Sequence, residues 1–207
     1  MNRTQRRSVS PPGESGWRAA MDRLVSDDQL IMRVASADTV ALEALFTRHQ
    51  TRIFRFIARI VRDETAAEEL TNEVFVDVWR HASGYAARSS VTTWLLSIAH
   101  NRAVSALRKR REEPSDDKRA ATLRDDADDP EVVVQKADKS RLLRQCIDAL
   151  PAEYREIVDL VYYHELSVSE AAAVVNIPEG TVKTRMFNAR KRLSELLKEA
   201  GVDRGWP

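Results

Sequence analysis

The sequence contains one cysteine, Cys146, in 207 residues, which excludes an internal disulfide framework and any metal site built from cysteines alone. It has only six glycines, too few for the many tight turns of a sandwich or barrel of short strands. Aromatic residues make up 6% of the chain, which favours helices packed through Leu, Val, Ile and Ala over a β-sandwich. No apolar run approaches the roughly 20 residues a membrane helix needs. The first residues, Met1–Gly16, are basic and polar and lack the apolar stretch of a secretory signal. These absences predict a soluble, cytoplasmic, all-α protein without membrane insertion. The histidines His49, His81, His100 and His164 are scattered, and no His-Glu-x-x-His, Gly-rich phosphate loop or Gly-x-Ser-x-Gly occurs. No enzymatic activity, cofactor or metal is therefore expected.

What is present is helical periodicity and charge that is balanced overall but segregated locally, with Lys and Arg numbering 33 against 32 Asp and Glu. Residues 1–25 carry Arg3, Arg6, Arg7, Pro11 and Pro12 without periodicity and read as a disordered basic arm. Leu42, Leu45, Phe46, His49, Ile53, Phe56, Ile57 and Ile60 then follow the stripe of a long amphipathic helix. Asp63 and Glu64 break it, and Thr65 with Glu68 predicts a capping box opening a second helix through about Arg80. A loop at Gly84 leads to a third helix started by Ser89 and Ser90 and running from Val91 to about Arg110. Residues 112–131 hold nine acidic side chains against three basic ones, with Pro114 and Pro130 near the ends. This composition predicts a solvated, flexible acidic linker over 112–138. The expected organisation is two small helical domains, 26–111 and 139–198, joined by that linker and followed by a tail over 199–207.

The second domain has the layout of a helix-turn-helix. In its first helices, Leu143, Cys146, Ile147 and Leu150 share one face, with Cys146 read as a small buried hydrophobe, and Pro151 stands where a first helical turn tolerates it. Ser167 and Glu170 form a capping box before Ala171–Val175. Ala172 is small enough for two helices to cross closely, and Val182, ten residues on, supplies the apolar contact that locks the second helix. Asn176 falls where the turn demands a positive φ, which Asn tolerates best after Gly. Ile177–Gly180 reads as the turn and Thr181–Lys198 as the last helix, with six cations against the single acid Glu195. Its N-terminus and its cations suit phosphates, and Lys183, Thr184, Arg185 and Asn188 are placed for base edges in the major groove.

The first domain carries two further charge patterns. Glu69, Glu73 and Asp77 recur at helical spacing with Asn72 beside them, and such a row of like charges weakens an isolated helix. The pattern predicts a basic partner. The third helix ends with Arg102, Arg108, Lys109, Arg110 and Arg111 and no acid after Asn101. Tyr85 and the Ser83–Ser90 loop precede it, giving the aromatic surface and cations that single-stranded nucleic acid requires. Trp94 lies on an apolar stripe and is assigned to the core.

These motifs resemble a known family. Ala67–Trp79, followed by Trp94–Ala103 with its basic end, is similar to region 2 of bacterial sigma factors. Leu150–Arg155, Ile177–Arg185 and Ala189–Leu193 are similar to region 4. The presence of these two regions alone, joined by a short linker, resembles the extracytoplasmic-function (ECF, group 4) subfamily of the sigma-70 family. The resemblance implies binding to core RNA polymerase, through the β′ clamp helices and the β subunit, at Glu69, Asn72, Glu73, Val76, Asp77 and Arg80. It implies capture of the −10 element by Tyr85, Ser90, Thr93, His100, Asn101, Arg102, Ser105, Arg108 and Lys109. It further implies reading of the −35 element by Thr181, Lys183, Thr184, Arg185, Asn188, Lys191 and Arg192. A nucleoid location when active and control by an anti-sigma factor in a stress response follow from the same resemblance. The sequence departs from the family's habit at Asn72 (usually Gln), Ser105 (often Asp), Asn176 (often Gly) and Asn188 (commonly basic). The competing reading is a stand-alone helix-turn-helix regulator that binds duplex DNA without polymerase.

Overall fold

A computed structural model of the chain describes residues 25–112 and 134–201, with no strand among them. Residues 1–24 of the basic arm, 113–133 of the acidic linker and 202–207 of the tail lie outside the described residues.

The N-terminal half is built from four helices: α1 (Asp27–Ala35), α2 (Thr39–Val61), α3 (Glu64–His81) and α4 (Val91–Glu112). Each start is chemically marked. Ser26 and Gln29 form a capping box at α1, and the Asp38 carboxylate accepts from the Val40 and Ala41 amides at α2. The expected Thr65–Glu68 box at α3 is not formed. Asp63 caps the helix instead, two residues earlier, accepting from the Ala66 amide at 3.1 Å directly after the left-handed Arg62 (φ 55°) that ends α2. Ser90 accepts from the Thr93 amide and opens α4 as anticipated. Trp94 is half-buried against the core, its ring 5.3 Å from that of Tyr85.

The C-terminal half comprises α5 (Val134–Asp148), α6 (Ala152–Val158), a π-helical turn (Asp159–Tyr163), α7 (Val168–Val175) and α8 (Glu179–Glu199). Cys146 is buried as expected, and burial raises the pKa of its thiol. The Ser167–Glu170 capping box is formed, and Asn176 adopts φ 53° between α7 and α8. The last helix starts at Glu179, so Glu179 and Gly180 belong to its first turn rather than to the connection. The left-handed backbone at Asn176 makes a specific prediction. Asn176→Val, β-branched, should lose about 1–2 kcal/mol of stability while Asn176→Gly stays close to wild type, as read by urea unfolding.

The two halves do not hang apart. Leu45, Phe56, Val74, Leu95 and Ala99 belong to the same buried cluster as Ile157, Leu160, Ala171, Val175 and Val182. Helix α4 packs along α7, so the predicted −10 helix lies against the first helix of the helix-turn-helix. Arg59 of α2 bonds Asp159 in the π-helical turn, and its guanidinium lies 4.1 Å from the centre of the Tyr163 ring. Phe56 meets His164 edge to face at 5.4 Å, and Arg62 donates to the Asp148 carbonyl.

Candidate promoter and polymerase interfaces

The row on α3 is exposed where a large partner could reach it. Glu69, Asn72, Glu73 and Arg80 are exposed and Val76 is 46% exposed, while Leu70, Val74, Phe75 and Val78 fill the core behind them. Trp79 stands at the edge of the same surface. The basic partner implied by the acidic row is supplied in part from within the chain. Arg102 on α4 donates from Nε and Nη2 to the two oxygens of Asp77, both at 2.6 Å, and from Nη1 to Glu73 at 2.9 Å. These carboxylates raise the Arg102 pKa further above its already high ordinary value.

The expected −10 residues fall into two groups. Asn101, Ser105, Arg108 and Lys109 are exposed along α4. Tyr85 is half-buried against the core, its hydroxyl donating to the Ser89 carbonyl at 2.6 Å and reaching Asp28 at 3.2 Å. Burial, followed by the neighbouring Asp28 carboxylate, pushes its pKa up to about 12. The hydroxyls of Ser90 and Thr93 lie 2.8 Å apart. Thr93 and His100, in contrast, face the C-terminal half. The buried Thr93 hydroxyl donates to Glu170 at 3.2 Å, and His100 Nε2 lies 3.0 Å from a Glu156 carboxylate oxygen.

Glu170 thus serves two ends, capping α7 through Ser167 and bonding Thr93 of the other half. The Ser167 amide first, and then its hydroxyl, hold the Glu170 carboxyl below the usual glutamate range, against the opposing effect of burial. A depressed folded-state pKa contributes stability that is present above the unfolded value near ~4.3 and is lost as pH falls through the lowered folded value. Glu170→Gln should therefore flatten the acid limb of a stability profile taken between pH 3 and 7, with the smallest difference from wild type at the acid end.

On α8, Val182, Met186 and Ala189 are buried while Lys183, Thr184, Lys191 and Arg192 are exposed. Thr181 and Asn188 are half-buried. Arg185 is held by Glu153 of α6 at 3.2 Å, and Arg192 pairs with Glu195 at 3.1 Å. Phe187, absent from the expected set, is 67% exposed in the middle of this stripe. Its register with Lys183 and Lys191 carried the signal in the sequence, but an aromatic on an amphipathic helix is by default assigned to the core. Among the residues that join the halves, Arg59, Glu156 and Asp159 had no local signature, and the capping motif at Glu170 gave no sign of its bond to Thr93. Among the described residues no cluster of His, Cys, Asp and Glu could hold a metal, and no helix is long and apolar enough to cross a membrane.

Comparison with known proteins agrees with this layout. Residues 45–113 match the model for sigma-70 region 2, and residues 140–193 match the model for sigma-70 region 4. The ECF RNA polymerase sigma factor SigK of Mycobacterium tuberculosis is 32% identical over 84% of this chain and 96% of its own length. The SigK of Mycolicibacterium vanbaalenii is 31% identical, over 82% and 88%. Among solved structures, the sigma factor RpoE of Bartonella quintana, in complex with the anti-sigma factor NepR, superposes with a TM-score of 0.62 at 26% identity, covering 78% of this chain and 98% of that one. CnrH, in complex with the cytosolic domain of CnrY, shares the fold with the same TM-score at 22% identity, covering 84% and 99%. With both regions present in order, and with relatives of this kind along most of its length, the chain belongs to the ECF subfamily of the sigma-70 family of bacterial RNA polymerase sigma factors.

Proposed function

We propose that the protein docks on core RNA polymerase through the α3 face of Glu69, Asn72, Glu73, Val76, Asp77 and Arg80, with the β′ clamp helices as the basic counterpart and the β subunit contacting the C-terminal half. The observation that carries the reading is a pair of oppositely charged exposed surfaces: an acidic row on α3 and a basic stripe on α8. Lys183, Thr184, Arg185 and Asn188 face base edges of the −35 element, while Thr181, Lys191 and Arg192 hold phosphates. Phe187 adds an apolar contact suited to a thymine methyl group. Tyr85, Ser90, Asn101, Arg102, Ser105, Arg108 and Lys109 take the unpaired −10 strand, with Thr93 and His100 joining once α4 is free of α7. Opening duplex DNA costs about 1.4 kcal/mol per base-pair step. Base capture and polymerase contacts must offset that, and the sigma factor itself performs no bond chemistry.

The closed packing of the two halves offers a route for control by an anti-sigma factor, a protein that binds and holds the arrangement in which Thr93 and His100 are covered. The protein would act in the bacterial cytoplasm, associated with the nucleoid when bound to promoters. Purified chain mixed with bacterial core polymerase should co-elute as a one-to-one complex and direct transcription from a cognate promoter, whereas the chain alone should bind duplex DNA weakly. Failure to bind core, together with tight duplex binding by the chain alone, would replace this reading with the stand-alone regulator.

A further inference from the structure

Three side chains assigned above to two different outside partners are engaged with one another. Glu73 and Asp77 belong to the polymerase face, and Arg102 belongs to the promoter face. In the free chain the Arg102 fork is closed on Asp77 at 2.6 Å through both Nε and Nη2, and its remaining nitrogen is on Glu73 at 2.9 Å. A guanidinium held in this way has few N–H groups left for a phosphate, and three of the four carboxylate oxygens that a basic partner surface would use already carry an internal cation. The group sits at the surface, with side-chain exposures of 37% for Arg102, 52% for Glu73 and 14% for Asp77. The single bond to Glu73 is that of an ordinary surface ion pair and contributes little, whereas the bidentate pair with Asp77 is stronger, so only a partner that brings cations of its own to both carboxylates releases the fork.

We infer that Arg102 is a coupling residue between polymerase docking and promoter capture, an inference that rests on the sigma reading above. When a basic polymerase surface takes over Glu73 and Asp77, the guanidinium is released and swings to a backbone phosphate of the −10 strand. By reciprocity, DNA that occupies Arg102 leaves the two carboxylates to the polymerase, so each partner strengthens the binding of the other. The acidic row on α3 and the basic end of α4 are then two states of one exchangeable set of charges.

The test uses the full-length protein with Arg102→Gln and two readouts: affinity for core polymerase without DNA, and affinity of the assembled complex for a fork-junction DNA with an unpaired −10 strand at several salt concentrations. Core binding should tighten roughly two- to fivefold, because an internal competitor for the carboxylates is gone. Promoter binding by the complex should weaken, and its salt slope should fall by about 0.7, the value for one neutralised phosphate on a single strand. Arg102→Lys, which keeps the charge but loses the fork, should retain most of the promoter binding. In an Asp77→Asn background the tightening on core should shrink, since little competition is left to remove. Loss of both affinities together would overturn the inference and make Arg102 a simple brace between α3 and α4. Tighter core binding with unchanged promoter binding, or no change in either, would overturn it equally. Failure of the wild-type chain to bind core would instead remove the sigma reading itself, and it shows before any variant is made.

Discussion

Replacing Arg59 by alanine is expected to part the two helical halves of the protein while leaving each folded. Asp159 is 4% exposed, and its cationic partner comes from the other half of the molecule. Removing one member of a buried pair leaves the other without its fixed cation, at a cost of up to about 3–5 kcal/mol. His164 Nε2, 3.3 Å from Asp159, stays in place but belongs to the same half and does nothing to bridge them. Loss of Arg59 also removes its packing on Tyr163. Fluorescent labels at Arg88 and Ser194, both exposed, would report the separation, and Cys146 is buried enough to be left in place. The Arg59→Met, Asp159→Leu double variant should close again, because an apolar pair of similar volume needs no charge compensation. An unchanged distance in the single variant would show that the shared apolar core holds the halves without the ion pair. An open variant should also bind single-stranded −10 DNA more readily, since Thr93 and His100 are uncovered.

Reversing the charge at Glu73 has the second large expected effect. Glu73→Lys puts a cation at the centre of the α3 face and next to Arg102, which Glu73 holds at 2.9 Å. Like charges brought together at an interface cost several kcal/mol. Affinity for core polymerase should fall by about 3 kcal/mol, on the order of a hundredfold in Kd. The side chain is 52% exposed, so the circular dichroism spectrum should be that of the wild type. Glu73→Gln separates lost attraction from new repulsion and should show a much smaller loss. Full core binding by the lysine variant would move the docking surface away from α3.

Much of this was legible in the sequence because it depends on neighbours a few residues apart. The stripe from Leu42 to Ile60 fixed a helix and its buried face, and Leu45, His49, Ile53, Phe56 and Ile57 are buried in α2. Ser167 with Glu170 fixed the start of α7, Asn176 fixed the left-handed turn, and Ala172 and Val182 are both buried as their small and apolar side chains suggested. Helical period, capping chemistry and tolerance of positive φ are local, so they can be read without knowing where the chain goes next. The acidic row on α3 and the basic stripe on α8 were legible for the same reason.

The tertiary structure decided which charged groups meet. Nothing near Asp77 in the sequence points to Arg102, 25 residues away, and nothing near Arg59 points to Asp159, 100 residues away. Thr93 and His100 have the composition of a nucleic-acid surface but face Glu170 and Glu156, because α4 packs along α7. Period and composition tell a side chain to lie on a polar face. They do not say whether that face meets water, DNA or another part of the chain, since electrostatic pairing acts through space between elements whose arrangement the core packing sets.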